Sequence, residues 1–145
     1  MTALVGQMLR HLRVRRVDEA QDADRATALL QSHRYGAIVL SDRLLPIDGL
    51  ELVRALRRAT AGLNRDTPVI MMSVEPMGRE IAAARDAGVT EFLGKPFAAQ
   101  DLGARLRAIR TAPRTFVETG AYTGPDRRRR RIATRPDRRR GPPLS

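Results

Sequence analysis

Two short, wholly apolar runs constrain this chain more than any other feature. They are "AIVLS" at 37–41 and "VIMMS" at 69–73, each too short for a buried helix and each ending on a polar residue. Runs of this kind read as strands covered on both faces, and such strands belong to parallel sheets flanked by helices. The intervening segments carry helical stripes. Leu4, Val5, Met8, Leu9 and Leu12 share one face, and "VRRVDEA" from Val14 then reads as a short strand. Ala26, Leu29 and Leu30 form the next stripe, with Asp22 or Asp24 as its cap. Leu50, Val53 and Leu56 mark a third helix, and Ile81 to Ala87 a fourth, closed by Gly88. "EFLG" at 91–94 is a last strand, and a helix with Leu102, Leu106 and Ile109 inward ends near Pro113. Strands alternating with helices of this length predict a doubly wound α/β sheet.

A chain of 145 residues has room for one such domain, here 1–112, and an appendage, 113–145. Without cysteine it can build neither a disulfide framework nor a thiolate metal site. No apolar run is long enough to span a bilayer, and nothing resembles a signal peptide, so the expected location is the cytoplasm without membrane insertion. The net charge of +11 is unevenly spread: nine arginines against Asp126 and Asp137 give the last 25 residues +7, leaving +4 for the first 120. Basic character therefore belongs mainly to the appendage.

In an open parallel sheet the functional groups gather beyond the carboxyl ends of the strands, where the loops face one crevice. Asp42, Ser73 and Lys95 stand at three such ends. Taken singly they are a capping acid, a turn hydroxyl and a solvated ammonium. Together they suit phosphoryl transfer, with the carboxylate as nucleophile and the other two groups holding phosphoryl oxygens. The two histidines, His11 and His33, lie in helical segments away from this rim, which argues against an enzyme acting on a small-molecule substrate.

"VLSDRLLPIDGLEL", "PVIMMS" and "AGVTEFLGKPF" resemble the defining segments of the receiver domain of two-component response regulators, a flavodoxin-like, CheY-like fold, over about Ala3 to Arg110. The resemblance implies that Asp42 accepts a phosphoryl group from a histidine kinase or phosphotransfer protein. It also implies that Ser73 is the switch hydroxyl, that Lys95 pairs with the phosphoryl oxygens, and that Phe92 holds the aromatic switch position, although Phe92 also reads as a plain core aromatic. A bacterial stand-alone receiver acting by docking on another protein, and not itself an enzyme, is the function implied.

Two departures from that pattern bear on chemistry. Asp42 to Gly49 spans seven residues where the family usually has eight, which tightens the loop around Leu44, whose backbone carbonyl is expected beside Asp42 on a Mg2+ ion. Receivers also begin with a hydrophobic strand ending in two acids that hold this metal, and neither is found after Met1; both are expected just upstream of it. Asp18 and Glu19, at the end of the second strand, are the nearest substitutes. In the receiver strand order, second, first, third, fourth, fifth, the lacking strand is central. Each buried hydrogen bond left unmet costs ~1–3 kcal/mol, and a domain has only ~5–15 kcal/mol in all, so the sheet is expected to be unstable without it.

The appendage repeats "PDRRR" at 125–129 and 136–140. Its proline, glycine and like charges predict a disordered basic tail. A purely electrostatic tail has no need of an acid before each arginine triplet. "YTGPDRRRR" resembles the arginine-rich tail of receiver-like cyclic di-GMP effectors that act on the flagellar motor. On that resemblance Asp126 and Asp137 select guanine, while Arg127, Arg128, Arg129, Arg130, Arg131, Arg138, Arg139 and Arg140 divide between base edges and phosphates. The competing expectation is nonspecific binding of nucleic acid by a degenerate receiver, with Tyr122 as its one candidate stacking aromatic near the arginines.

Overall fold

The computed structural model describes residues 2–42, 47–74, 78–112, 116–118 and 122–125. Five helices, α1 (Thr2–His11), α2 (Ala23–Ser32), α3 (Gly49–Arg58), α4 (Gly78–Ala87) and α5 (Ala99–Thr111), accompany strands β1 (Ile38–Ser41), β2 (Val69–Ser73) and β3 (Glu91–Gly94). The strands form a parallel sheet in the order β1-β2-β3. An α/β fold built on a parallel sheet with helices on both faces follows, as the alternation of patterns predicts.

Strand β2 is buried at every position because helices cover both of its faces. Val69 and Met71 pack with Leu40, Val53, Ala84 and Ala87, between the sheet and α3 and α4. Ile70 and Met72 point the other way, into a cluster with Val5, Leu93, Leu102 and Ile109 under α1 and α5. The two-residue period of a strand thus splits one apolar run between two cores. Helix ends follow their local chemistry. The Asp22 side chain accepts the Arg25 N–H at 2.8 Å and caps α2. Asp48 and Glu51 cap α3 reciprocally, with the Glu51 N–H donating to Asp48 at 2.9 Å. Gly88, at φ 111°, closes α4, where a side chain would be strained.

The strand expected from Val14 is not found: 14–20 belongs to no sheet. The reason lies beside it. A slot of about 510 Å3 separates this segment from β1, walled by Val14, Val17, Leu29, Leu30, Val39 and Leu106 among others. In a parallel ladder alternate residues bond to opposite sides. The Ile38 and Asp42 N–H groups donate to β2-side carbonyls at 2.9 and 3.0 Å, so residues 37, 39 and 41 turn their peptide groups toward the slot. The slot has the place of the central strand in the expected order, and among the described residues 14–20 pairs with no strand.

The expectation of disorder throughout 113–145 is also corrected. Residues Phe116–Glu118 (β4) and Thr123–Pro125 (β5) form an antiparallel ribbon. Charge counting overlooked that 116–125 carries two aromatics, Phe116 and Tyr122, and two glycines, Gly120 and Gly124. Residues 126–145 lie outside the described residues, and with them Asp126, Asp137 and all the tail arginines assigned above.

Candidate phosphoryl-acceptor site

The parallel register puts the ends of all three strands at one rim. Ser41 of β1 pairs with Met72, and Ser73 of β2 with Gly94 of β3, so Asp42, Ser73 and Lys95 come next to one another across the sheet. Backbone bonds hold them there. Asp42 N–H donates to the Met72 carbonyl at 3.0 Å, and Lys95 N–H to the Ser73 carbonyl at 2.7 Å. The Asp42 carbonyl accepts from Gly49 N–H at 3.1 Å, which closes the loop after β1. Only glycine fits at 49: a Cβ there would stand 2.4 Å from the Ser41 carbonyl oxygen and 2.6 Å from Leu40. The close approach of α3 to the end of β1 depends on it.

The side chains of Lys95 and Asp42 are linked through a further residue. Lys95 Nζ donates to Ser41 Oγ at 3.3 Å, and Ser41 Oγ donates to Asp42 Oδ1 at 3.5 Å, so one hydroxyl bridges the ammonium and the acid. Sequence reasoning missed Ser41. Its signal was a polar residue at the last place of an apolar strand, directly before the acid. Ser73 is only 5% exposed, whereas Asp42 and Lys95 are half-buried, open enough to meet a phosphoryl donor. The peptide between Lys95 and Pro96 is cis. Phe92 is half-buried against the cluster containing Leu40 and Val53, and its backbone carbonyl accepts from Arg105 Nε at 3.0 Å.

The expected metal was tested against these residues. Mg2+ requires several oxygen ligands in near-octahedral geometry. Among the described residues no three carboxylates or histidines cluster to hold one, and Leu44 lies outside them. Asp18 and Glu19 are committed elsewhere. Asp18 accepts from the Tyr35 hydroxyl and pairs with Arg16 at 3.1 Å, and these contacts, Tyr35 first, lower its pKa. Burial, and then the Asp18 bond, raise that of Tyr35. Glu19 pairs with Arg10 at 3.0 Å. One carboxylate at the rim does not make a Mg2+ site, and oxygen ligands must come from residues beyond those described. No helix among the described residues is long and apolar enough to cross a membrane.

Comparison with known proteins agrees with this geometry. The family model described as the response regulator receiver domain matches residues 1–107. The response regulator MprA of Mycobacterium sp. strain KMS is 36% identical over 109 residues, which are 74% of this chain and 46% of that protein. MprA of Mycobacterium tuberculosis H37Rv is 36% identical over 107 residues, 72% of this chain and 45% of that protein. The chain thus spans about half the length of the curated relatives it matches. Among solved structures, the receiver domain of the sensor histidine kinase PA1611 from Pseudomonas aeruginosa, crystallised with magnesium in its active-site cleft, superposes with a TM-score of 0.64 at 28% identity, covering 72% of this chain and 84% of that one. Chemotaxis response regulator CheY4 of Vibrio cholerae superposes with a TM-score of 0.68 at 25% identity, covering 74% and 88%.

Proposed function

Because this chain belongs to the response regulator receiver family, whose domains are signalling modules that work with histidine kinases or phosphotransfer proteins, we propose that it receives a phosphoryl group on Asp42 and signals by docking on another protein. The observation that carries this reading is the Lys95–Ser41–Asp42 contact at the rim. In the proposed step an Asp42 carboxylate oxygen attacks phosphorus, the bond from phosphorus to the donor's leaving group breaks, and an acyl phosphate forms. The leaving group departs with the bonding electrons. Lys95 stands where it offsets the added negative charge, and Ser73 supplies a hydroxyl to the phosphoryl oxygens.

Efficient transfer needs the metal, and the described residues do not hold one. The proposal therefore includes an apolar strand ahead of α1, lying in the slot beside β1 and carrying two carboxylates to the rim, where they and Asp42 bind Mg2+. The test joins such a strand to the amino terminus and treats both forms with acetyl phosphate and Mg2+. Intact mass should show one phosphoryl group on the strand-bearing form and little on the chain of 145 residues. No incorporation by the strand-bearing form removes the reading.

For the segment after Pro125 the proposed ligand is cyclic di-GMP, supported by the paired "PDRRR" copies, which match two guanines and two phosphates. A receiver that binds this messenger could dock on the flagellar motor. Titrating the full chain with cyclic di-GMP, cyclic di-AMP and duplex DNA at two salt concentrations separates this from plain polyanion binding. The guanine ligand should bind at least about tenfold tighter than its adenine counterpart, by about 1.4 kcal/mol. Equal affinities, with DNA binding that falls steeply as salt rises, would instead assign the arginines to nonspecific phosphate contacts.

A further inference from the structure

Helix α1 ends on a residue that its geometry does not favour. Val14 N–H donates to the Leu9 carbonyl at 3.0 Å and Arg13 N–H to the Arg10 carbonyl at 2.9 Å, the pair of bonds by which a helix closes on a left-handed residue. That residue is Arg13, at φ 68°, and no other non-glycine among the described residues has a positive φ. Glycine is the ordinary occupant of this place, because a Cβ crowds the backbone there. The apolar contact that accompanies such a turn involves Leu9 and Val14, which both line the slot beside β1, and glycine at 13 would serve it as well. Arg13 is exposed, so no burial of its side chain offsets the strain.

The charge around it is one-sided. Residues 10–16, "RHLRVRR", hold four arginines and a histidine with no acid, and α5 holds three arginines against Asp101. Local contacts account for most of them. Arg10 and Arg16 pair with Glu19 and Asp18, Arg105 donates to the Phe92 carbonyl, and Arg110 complements the dipole in the last turn of α5. Asp101 accepts the Ala98 N–H at 2.8 Å, at the other end of that helix. Arg13, Arg15 and Arg107 are left over. All three are exposed, and none makes an ion pair among the described residues. The helix crossing gathers them. A Cβ at Gly103 would stand 3.1 Å from a Leu12 methyl and 3.5 Å from Arg107 Nη1, so the Arg107 guanidinium lies over the contact of α5 with α1, beside the residue that precedes Arg13. Arg110, three places after Arg107, shares its face of α5.

We propose that Arg13, Arg15, Arg107 and Arg110 form a docking surface for an acidic segment of a partner protein, with the left-handed turn setting Arg13 at its edge. Guanidinium forks hold carboxylates and phosphates alike, but duplex DNA is held by neutralising many phosphates along its length, and four arginines at one helix crossing are few for that. No aromatic belongs to 2–16 or to α5, so an unpaired base has nothing there to stack on. Helix α5 begins four residues after Lys95 and carries Arg107 about 12 Å further along its axis, which leaves the phosphoryl rim free while a partner is bound. The inference rests on the reading of this chain as a docking module and names the partner's chemistry. No phosphoryl donor enters its test, so either can fail alone.

The probe is an acetylated, amidated peptide of six glutamates, titrated into the full chain and followed by amide resonances. Those of Arg13, Arg15, Arg107 and Arg110 should shift together. Arginines beyond Pro125 also meet the peptide, but each resonance is scored by itself, and shifts confined to 126–140 overturn the surface. So does an absence of shifts at the four. Arg107→Gln should weaken binding read at Arg13 by about threefold, the scale of one exposed ion pair.

Arg13→Gly is the sharper variant, because stability and binding should move in opposite directions. Glycine relieves the turn, so the urea midpoint should rise, while affinity read at Arg107 falls by about threefold. A merely structural Arg13 would leave the affinity unchanged, and that result, or a midpoint that does not rise, overturns its role. Duplex DNA serves as the competing probe. If it shifts the same four amides at lower concentration than the glutamate peptide, the acidic protein segment is overturned as the occupant.

Discussion

In the strand-bearing form, Asp42→Ala should abolish phosphoryl incorporation from acetyl phosphate, and Asp42→Asn should do the same although it keeps the shape of the side chain. The proposed nucleophile is a carboxylate oxygen, and Asp42 is the carboxylate that the Ser41 hydroxyl joins to the Lys95 ammonium. Lys95→Ala should slow incorporation by about 100-fold, the usual scale for removing one preorganised group that meets charge developing in a transition state. Ser41→Ala separates position from charge. It removes the hydroxyl that joins Lys95 to Asp42, and the expected loss is smaller, about tenfold, or about 1.4 kcal/mol of barrier. Rates from intact mass against time, with peptide mapping of the adduct, decide each case. Undiminished incorporation in Asp42→Ala would place the acceptor elsewhere.

Replacing Arg57 by Met destabilises the domain by about 3 kcal/mol or more, read as a fall in the urea midpoint of the strand-bearing form. Arg57 is 1% exposed on α3, and its guanidinium donates to three carbonyls, those of Gly88, Arg65 (2.7 Å) and Thr67 (2.8 Å). Burial draws its pKa down to about 10, which still leaves it charged at neutral pH, amid carbonyl dipoles. Met fills much of the same volume but offers no donor, so three carbonyls lose their partner at the junction of α3, α4 and the loop before β2. Lys keeps the charge but lacks the planar fork that spans all three, so Arg57→Lys should recover only part of the loss. A change in midpoint worth less than ~1 kcal/mol would mean that water or a local shift satisfies these carbonyls. The same variant should loosen the β4–β5 ribbon, because Gly88 is both the acceptor of Arg57 and the seat of Gly124.

Much of this molecule was legible in its sequence because local pattern and global fold agree. The runs at 37–41 and 69–73 became β1 and β2, since a short apolar segment bounded by turns has few other ways to bury itself. Asp42, Ser73 and Lys95 meet at the rim because a parallel sheet aligns the ends of its strands, so position along each strand already implied proximity. Caps such as Asp22 and the closing Gly88 were readable for the same reason: their geometry involves only neighbouring residues.

Contacts between distant residues were not readable. Strand formation at Val14 depends on a neighbour for its hydrogen bonds, and a β-prone stretch facing a slot stays outside the sheet whatever its own preference. Ser41 as the bridge between Lys95 and Asp42 follows from a pairing across 54 residues. Arg57 looks in sequence like one more solvated arginine on an amphipathic helix, and only packing shows three carbonyls converging on it. The ribbon of β4 and β5 was hidden by the charge that follows it, because composition averages over a segment whereas docking turns on single side chains. Gly124 and Phe116 find complementary partners in Gly88 and Arg65, and that complementarity exists only once α3, α4 and the sheet are assembled.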